Sequence, residues 1–341
     1  MLPLTGCEPA ASEAHVIRSL PILVLMVHSR CNCRCVMCDI WKTSESRELT
    51  LTDLQPHLDS FRDLGVRWIV FSGGEPLMNR GLFPLAKALR AMDIRLTILS
   101  TGLLLAKYAV EVASTFDEVI VSLDGPQEVH DDIRRVPRAF ETMADGIDRL
   151  HAIAPGLPIR ARTTVQRANH RHLRETIAGA KSLQLASISF LAADVTSTAF
   201  NRELVWPVER QNQVALTIDE VRILEAELQR IIEDYRDEIS SGFIAESPSK
   251  LLRIASHFRA QLGLERPVAP PCNAPWVSAV VEADGSVRPC FFHRSIGNIH
   301  DQNLLEVLNS SNALDFRQNL DMQSDPKCQR CVCSLNYNQD G

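Results

Sequence analysis

The chain has 341 residues, 45% of them hydrophobic and 23% charged, enough to bury a sizeable core in one large domain plus a smaller one. A formal net charge of -6 supplies no broad basic field for a nucleic-acid backbone, which argues against DNA or RNA as the main partner. The longest apolar run, Pro21 to Val27, is too short for the ~20 residues of a membrane span and lacks the leader of a signal peptide, while ten cysteines in ligand-like clusters point to a cytoplasmic metal-binding protein.

Residues 1–19 carry no periodic element, and Cys7 reads as a free thiol in a loose terminus. A first strand, Ile22 to Val27, delivers the loop from Cys31 to Cys38 at its C-terminal end, with His28 at the exit as packing or a contact to that loop. Thr52-Asp53 starts a helix that ends near Leu64-Gly65. Strand 66–72 opens into Gly73-Gly74-Glu75-Pro76, and the alternation continues with a helix at 80–91, a strand at 94–100, a helix at 105–114 and a strand at 117–123. A helix at 138–152, strand 159–165, helix 170–184 and strand 187–191 complete six strand-helix units, which predicts parallel pairing with right-handed crossovers. Six is fewer than the eight units of a closed barrel. Thr217 and Glu220 form a capping box for a solvent-faced helix over 218–239; Ser247-Pro248 opens another, and Arg266 to Pro271 reads as a linker.

Three thiolates spaced four and then three residues apart, Cys31, Cys35 and Cys38, wrap one iron-sulfur cube from a single loop. A 4Fe-4S cluster takes four cysteines, so a three-cysteine loop leaves one iron open for a substrate or cofactor. For the cysteines alone a zinc knuckle is the alternative; Cys33 sits at a free position and reads as a spare thiol. Gly73 to Pro76 alone reads as a turn.

Together the cysteine loop and Gly73-Gly74-Glu75-Pro76 resemble the radical S-adenosylmethionine (radical SAM) superfamily. The resemblance implies a partial (βα)6 TIM-like barrel over residues 20–195, a 4Fe-4S cluster on Cys31, Cys35 and Cys38, and reductive cleavage of SAM to a 5′-deoxyadenosyl radical. It implies that Gly73, Gly74, Glu75 and Pro76 hold the SAM amino group, with Glu75 as the carboxylate partner. Ser100 and Ser122, at the third and fourth strand exits, inherit contacts to the carboxylate and ribose region, or are strand-end hydroxyls tying off turns; Ser-Thr-Gly at the third exit departs from the family's Thr-Asn-Gly. Met37 lies over the adenine or in the core. Arg134 either pairs with the SAM carboxylate through its planar fork or salt-bridges Asp131 or Asp132.

Residues 196–271 read as flanking helices and linker, and 272–341 as a second cysteine region. Twelve residues separate Cys272 from Gly285 and four separate Gly285 from Cys290, across a hairpin with an Asp-Gly turn; Gly297-Asn298-Ile299 and a helix over 304–308 follow, then Cys328, Cys331 and Cys333. This resembles the SPASM domain in its shortened form, twitch, since the sequence runs only eight residues past Cys333. The resemblance implies a second, auxiliary 4Fe-4S cluster on Cys272, Cys290, Cys328 and Cys331, with Cys333 as a substitute ligand or a free thiol. A four-cysteine zinc site is the alternative.

The expectation is a radical SAM enzyme that abstracts hydrogen from an organic substrate, reduced by a partner such as flavodoxin or ferredoxin. The short N-terminus leaves no room for a leader-peptide-binding domain, which favours a small metabolite over the peptide substrates of SPASM-class maturases. An iron-sulfur electron carrier is the rival from another class, but it has no use for Gly73 to Pro76 or six barrel units. Arg160, Arg162, Gln166 and Asp194 are the expected polar anchors at the barrel mouth.

Overall fold

The structure is a computed structural model that describes residues 13–202 and 204–338, so Cys7 lies outside the described residues. Six parallel strands form the core: β1 (Ile22–His28), β2 (Trp68–Gly73), β3 (Arg95–Ser100), β4 (Glu118–Ser122), β5 (Ile159–Val165) and β6 (Ser187–Ala192). They lie side by side in chain order, β6 at the open edge. Each crossover carries helix, as parallel neighbours require. Strand periodicity sorts the side chains. In β1, Leu23, Leu25 and Val27 are 0% exposed beneath the helical layer, whereas Ile22, Val24 and Met26 line cavities on the inner face. In β4, Val119 and Val121 are 0% exposed, whereas Ile120 and Ser122 alternate with them along the cavity wall.

The C-terminal hairpin, β7 (Ser278–Val281) and β8 (Ser286–Arg288), does not stand apart. Strand β7 pairs in parallel with β1, from Ile22↔Ser278 to Leu25↔Val281, and β9 (Gly297–Asn298) adds to β8, so one nine-stranded sheet runs through both cysteine regions. Ordinary strand-strand pairing therefore fixes the second region against the strand that carries the first.

Local departures have visible causes. Pro56 breaks the first helix into Leu51–Leu54, a 3₁₀ turn and Leu58–Asp63. The long flanking helix stops at Asp234 because Tyr235 leaves helical geometry, and Arg236–Ser240 restarts it. Two helices of eight or more residues escaped the sequence reading, Gln127–Arg134, which closes over the N-terminal cysteine loop, and Ser311–Asn319, as did short turns of helix such as Val208–Gln211 and Pro326–Gln329.

Candidate functional site

The cysteine loop is gripped from both sides by backbone. Gly74 N–H donates to His28 O (2.7 Å) and Glu75 N–H to Arg30 O (2.9 Å), while Arg34 N–H and Val36 N–H donate to Arg134 O and Ile133 O (both 3.0 Å) at the end of the 127–134 helix. His28 is buried and its Nδ1 accepts from Arg30 N–H (2.9 Å), so it fixes the loop's entry. Each of the three expected sulfurs receives one N–H donor: Cys33 N–H reaches Cys31 (3.5 Å), Arg134 reaches Cys35 (3.4 Å) and Ile40 N–H reaches Cys38 (3.4 Å). That donor set suits thiolates bound to iron. Cys33, 1% exposed, shares its thiol with Cys31 and Cys35, which pushes its own pKa up. The same bond from Cys33, with Arg134 beside it, holds Cys35 down at about 6 despite burial, whereas burial pushes Cys38 up to about 12.

Glu75 does not line the cavity over the cysteine loop. It is 0% exposed and its carboxylate accepts from Ser100 Oγ (2.8 Å), Thr101 N–H (2.6 Å) and Leu77 N–H (3.2 Å). Neither Glu75 nor the buried Pro76 lines the cavity over the cysteine loop; the groups of this segment that do are Gly73 and Gly74. Glu75 instead ties the exit of β2 to that of β3, and the hydroxyl of Ser100 is spent on it. Ser122 and Met37 do line the cavity, and Met37 also packs against Ala193, Val195, Trp206 and Val214.

Arg134 pairs with neither Asp131 nor Asp132. Its Nη2 lies 2.5 Å from Asp124, which is fully buried and whose other oxygen accepts from Thr164 N–H (2.9 Å). Arg134 thus bridges Asp124 to Cys35, and its buried Nε has no partner among the described residues. Of the other expected anchors, Asp194 lines the cavity but is engaged by Arg202 (2.8 Å) and Ser197. Gln166 is buried outside it, its Nε2 on Thr164 O (3.4 Å). Arg160 lies at the wrong end. It joins Glu118, Arg95 and Thr97 in an ion network at the N-terminal floor of the lumen. Two residues further along β5, Arg162 is exposed, its Nε donating to Ser189 Oγ (3.5 Å).

The second set of cysteines converges on a neighbouring cavity, lined by Cys272, Cys290, Cys328, Cys331 and Cys333 with His293. Asn273 zips to Leu335 (2.7 Å) and Tyr337 (2.7 and 2.9 Å), bringing the C-terminal segment beside Cys272. Asp325 caps the turn, accepting from Lys327 N–H (2.9 Å) and Cys328 N–H (2.8 Å). Burial raises the pKa of Cys290 and takes Cys328 to about 12. Ser72, Leu99, Ile120, Arg162, Phe291, Phe292 and Cys333 line this cavity and the one over the N-terminal loop, so the two adjoin inside the barrel. Arg162 and Cys333 also line a third cavity of about 620 Å3, at the β6 edge, whose wall carries Lys250, Arg253, Arg266 and Arg330 against Glu246 and Glu265 among apolar residues.

Glu246 makes that wall pH-sensitive. Burial raises its carboxyl from 4.5 to about 7, against the opposing bond from Phe190 N–H. The folded state thus holds a proton that the unfolded chain releases near 4.5, and stability falls as pH climbs from about 4.5 through 7. Glu246→Gln keeps the acceptor without the charge. It is expected to match the parent below pH 5 and to exceed it at pH 8 by on the order of 2–3 kcal/mol, read as a higher midpoint in thermal melts at the two pH values.

Two sets of cysteines on one mixed α/β sheet, lining two adjoining cavities, make the arrangement of an iron-sulfur enzyme of the open-barrel type. The chain belongs to the radical SAM superfamily: the model of that superfamily matches residues 25–177, and that of the SPASM iron-sulfur cluster-binding domain matches residues 272–332. Its cofactors are accordingly 4Fe-4S clusters and SAM. An AdoMet-dependent heme synthase of Oleidesulfovibrio alaskensis is 26% identical over 321 residues, 88% of this chain and 77% of that protein. Another from Methanosarcina barkeri is 30% identical over 198 residues, 54% of this chain and 56% of that protein. Among solved structures, Streptococcus suis SuiB bound to S-adenosylmethionine superposes with a TM-score of 0.67 at 14% identity, covering 95% of this chain and 75% of that one, a likeness of fold. No helix among the described residues is long and apolar enough to cross a membrane.

Proposed function

We propose that the chain abstracts hydrogen from a carboxylate-bearing metabolite with a large apolar framework, a tetrapyrrole being the first candidate. On this reading Cys31, Cys35 and Cys38 hold the open-iron cluster, and Cys272, Cys290, Cys328 and Cys331 the auxiliary one. The backbone of Gly73 and Gly74, with Ser122 and Met37, receives SAM; Arg134 orients Cys35 and Glu75 braces the two strand exits. Bound SAM supplies a strong hydrogen-abstracting radical on one-electron reduction. The protein's own work is to position the substrate carbon and exclude water.

One observation carries the substrate class: Arg162 faces the edge cavity and both cysteine cavities at once. A carboxylate paired with Arg162 would place the rest of an apolar molecule in about 620 Å3 of space, within the usual range for ligand pockets. The name of the two relatives, heme synthase, agrees, since tetrapyrroles of the heme type are apolar rings bearing carboxylates. The division at residues 195 and 271, a cytoplasmic setting and a flavodoxin or ferredoxin as reductant belong to the same reading.

The test is isotope transfer. Reconstituted enzyme with SAM, dithionite and a heme precursor deuterated on its carboxylate side chains is expected to form deuterated 5′-deoxyadenosine. Arg162→Met is expected to raise the KM for that substrate at least about tenfold, the loss of one charge-assisted pair, while leaving substrate-free SAM cleavage unchanged. Transfer from a peptide and none from the tetrapyrrole would reject the substrate class; no 5′-deoxyadenosine at all would reject the reaction.

A further inference from the structure

His293 is not among the expected cluster ligands, yet its ring stands at the auxiliary site. The side chain is buried, packed edge-on against Phe316 with ring centroids 4.9 Å apart, and its Nε2 lies 3.6 Å from Cys328 Sγ. The same nitrogen lies 3.9 Å from Asp325 Oδ1, and the three ligand atoms are mutually within 4.8 Å. Two uses of the ring compete, as a ligand to metal or as a donor to sulfur.

The geometry points to the second: we propose that His293 donates an N–H···S hydrogen bond to the Cys328 sulfur of the auxiliary cluster and thereby sets that cluster's reduction potential. A separation of 3.6 Å is hydrogen-bonding range for sulfur. Asp325 Oδ1 already accepts from two backbone N–H groups, so the sulfur is both the nearer and the less satisfied acceptor. Phe316 holds the ring against rotation, and Arg288 anchors His293 from behind through its carbonyl (3.2 Å). A donor to a cluster sulfur stabilises the more negative, reduced form and raises the potential. His293 is thus a positioning and tuning residue acting through Cys328. This rests on the assignment of Cys272, Cys290, Cys328 and Cys331 to an auxiliary cluster.

The full chain with Cys31, Cys35 and Cys38 all changed to Ala isolates the auxiliary cluster for redox titration followed by electron paramagnetic resonance. In that background His293→Phe is expected to keep the iron and sulfide content while moving the midpoint potential to more negative values. His293→Gln, which retains an N–H donor, is expected to recover part of the shift. An unchanged potential in His293→Phe overturns the proposal. Loss of the cluster iron in both variants overturns it as well, because His293 is then a ligand. An iron-free parent would fail the auxiliary-cluster assignment and take the proposal with it. In the unaltered holoenzyme, labelling histidine with 15N is expected to reveal a weak nitrogen coupling to the reduced auxiliary cluster. A strong coupling indicates direct ligation and none removes the contact, and either result overturns the proposal whether or not the variants fold.

Discussion

Gly74→Ala is expected to abolish SAM cleavage and strip the N-terminal cluster while leaving the auxiliary cluster in place. A Cβ at residue 74 would fall 1.9 Å from Arg30 O, 2.3 Å from Arg30 C and 2.9 Å from Cys31 N, all backbone atoms at the root of the cysteine loop. No rotamer relieves an overlap with backbone. The loop must therefore move by about 1 Å or more, and a displacement of that size at reacting groups costs about 100-fold in rate. The penalty is steric rather than conformational. Gly74 has no left-handed φ, unlike Gly73 beside it at φ 126°, whose own Cβ would meet His28 O at 2.7 Å. Iron analysis of the anaerobically reconstituted variant is expected to find about four irons where the parent holds about eight, with 5′-deoxyadenosine production down by at least about 100-fold. Gly156→Ala is the control, since nothing lies within 4 Å of a Cβ there. A Gly74→Ala protein with full iron and normal turnover would show that the two segments are not packed as described.

Why Gly74 escaped a full reading from the sequence also explains which parts of the site were legible. The spacing of Cys31, Cys35 and Cys38 is set by the size of an inorganic cube, so it can be read along the chain. Paired glycines likewise announce a close approach, but the sequence does not say to what. Paired glycines in such a motif read as an approach to a ligand; the structure adds the backbone of Arg30.

 The partners of Glu75 within the protein were hidden for a related reason. A carboxylate in a motif reads as a ligand group, yet Ser100, Thr101 and Leu77 all converge on it, and two of those three lie some 25 residues away. The six strands were legible because strand and helix periodicities alternate with clean turn residues between them. The pairing of β7 with β1 was not, since nothing in Ser278–Val281 names its partner. Arg160 and Arg162 share one face of β5, and the sequence reading set both at the barrel mouth; only the position of Glu118 decides that Arg160 belongs to the floor while Arg162 lines the cavities above it.

The same limit applies to the pair with the second-largest expected effect. Asp124 and Arg134 are both buried, their side chains 0% and 8% exposed, and they meet at 2.5 Å. Burial disfavours the guanidinium charge, but Asp124 first and the Cys35 sulfur next hold its pKa well above the ordinary arginine range. Arg134→Met removes that cation and leaves Asp124 as a buried carboxylate with only Thr164 N–H for company. Breaking a buried pair from one side costs about 3–5 kcal/mol, which for a chain of this size is expected as a fall of about 6–10 °C in melting midpoint. Adding Asp124→Asn removes the stranded charge, so the double variant is expected to recover most of that loss, and the double-mutant cycle isolates the pair. Iron retention is expected to respond differently. Cys35 loses its Arg134 donor in the single and the double variant alike, so a chelator should draw iron from the N-terminal cluster faster in both. Arg134→Lys is expected to restore neither property fully, because one ammonium cannot present the planar fork that spans Asp124 and Cys35 together. If the double variant melted as low as Arg134→Met, the cost would lie in packing rather than in the stranded charge, and the electrostatic account of this pair would fail.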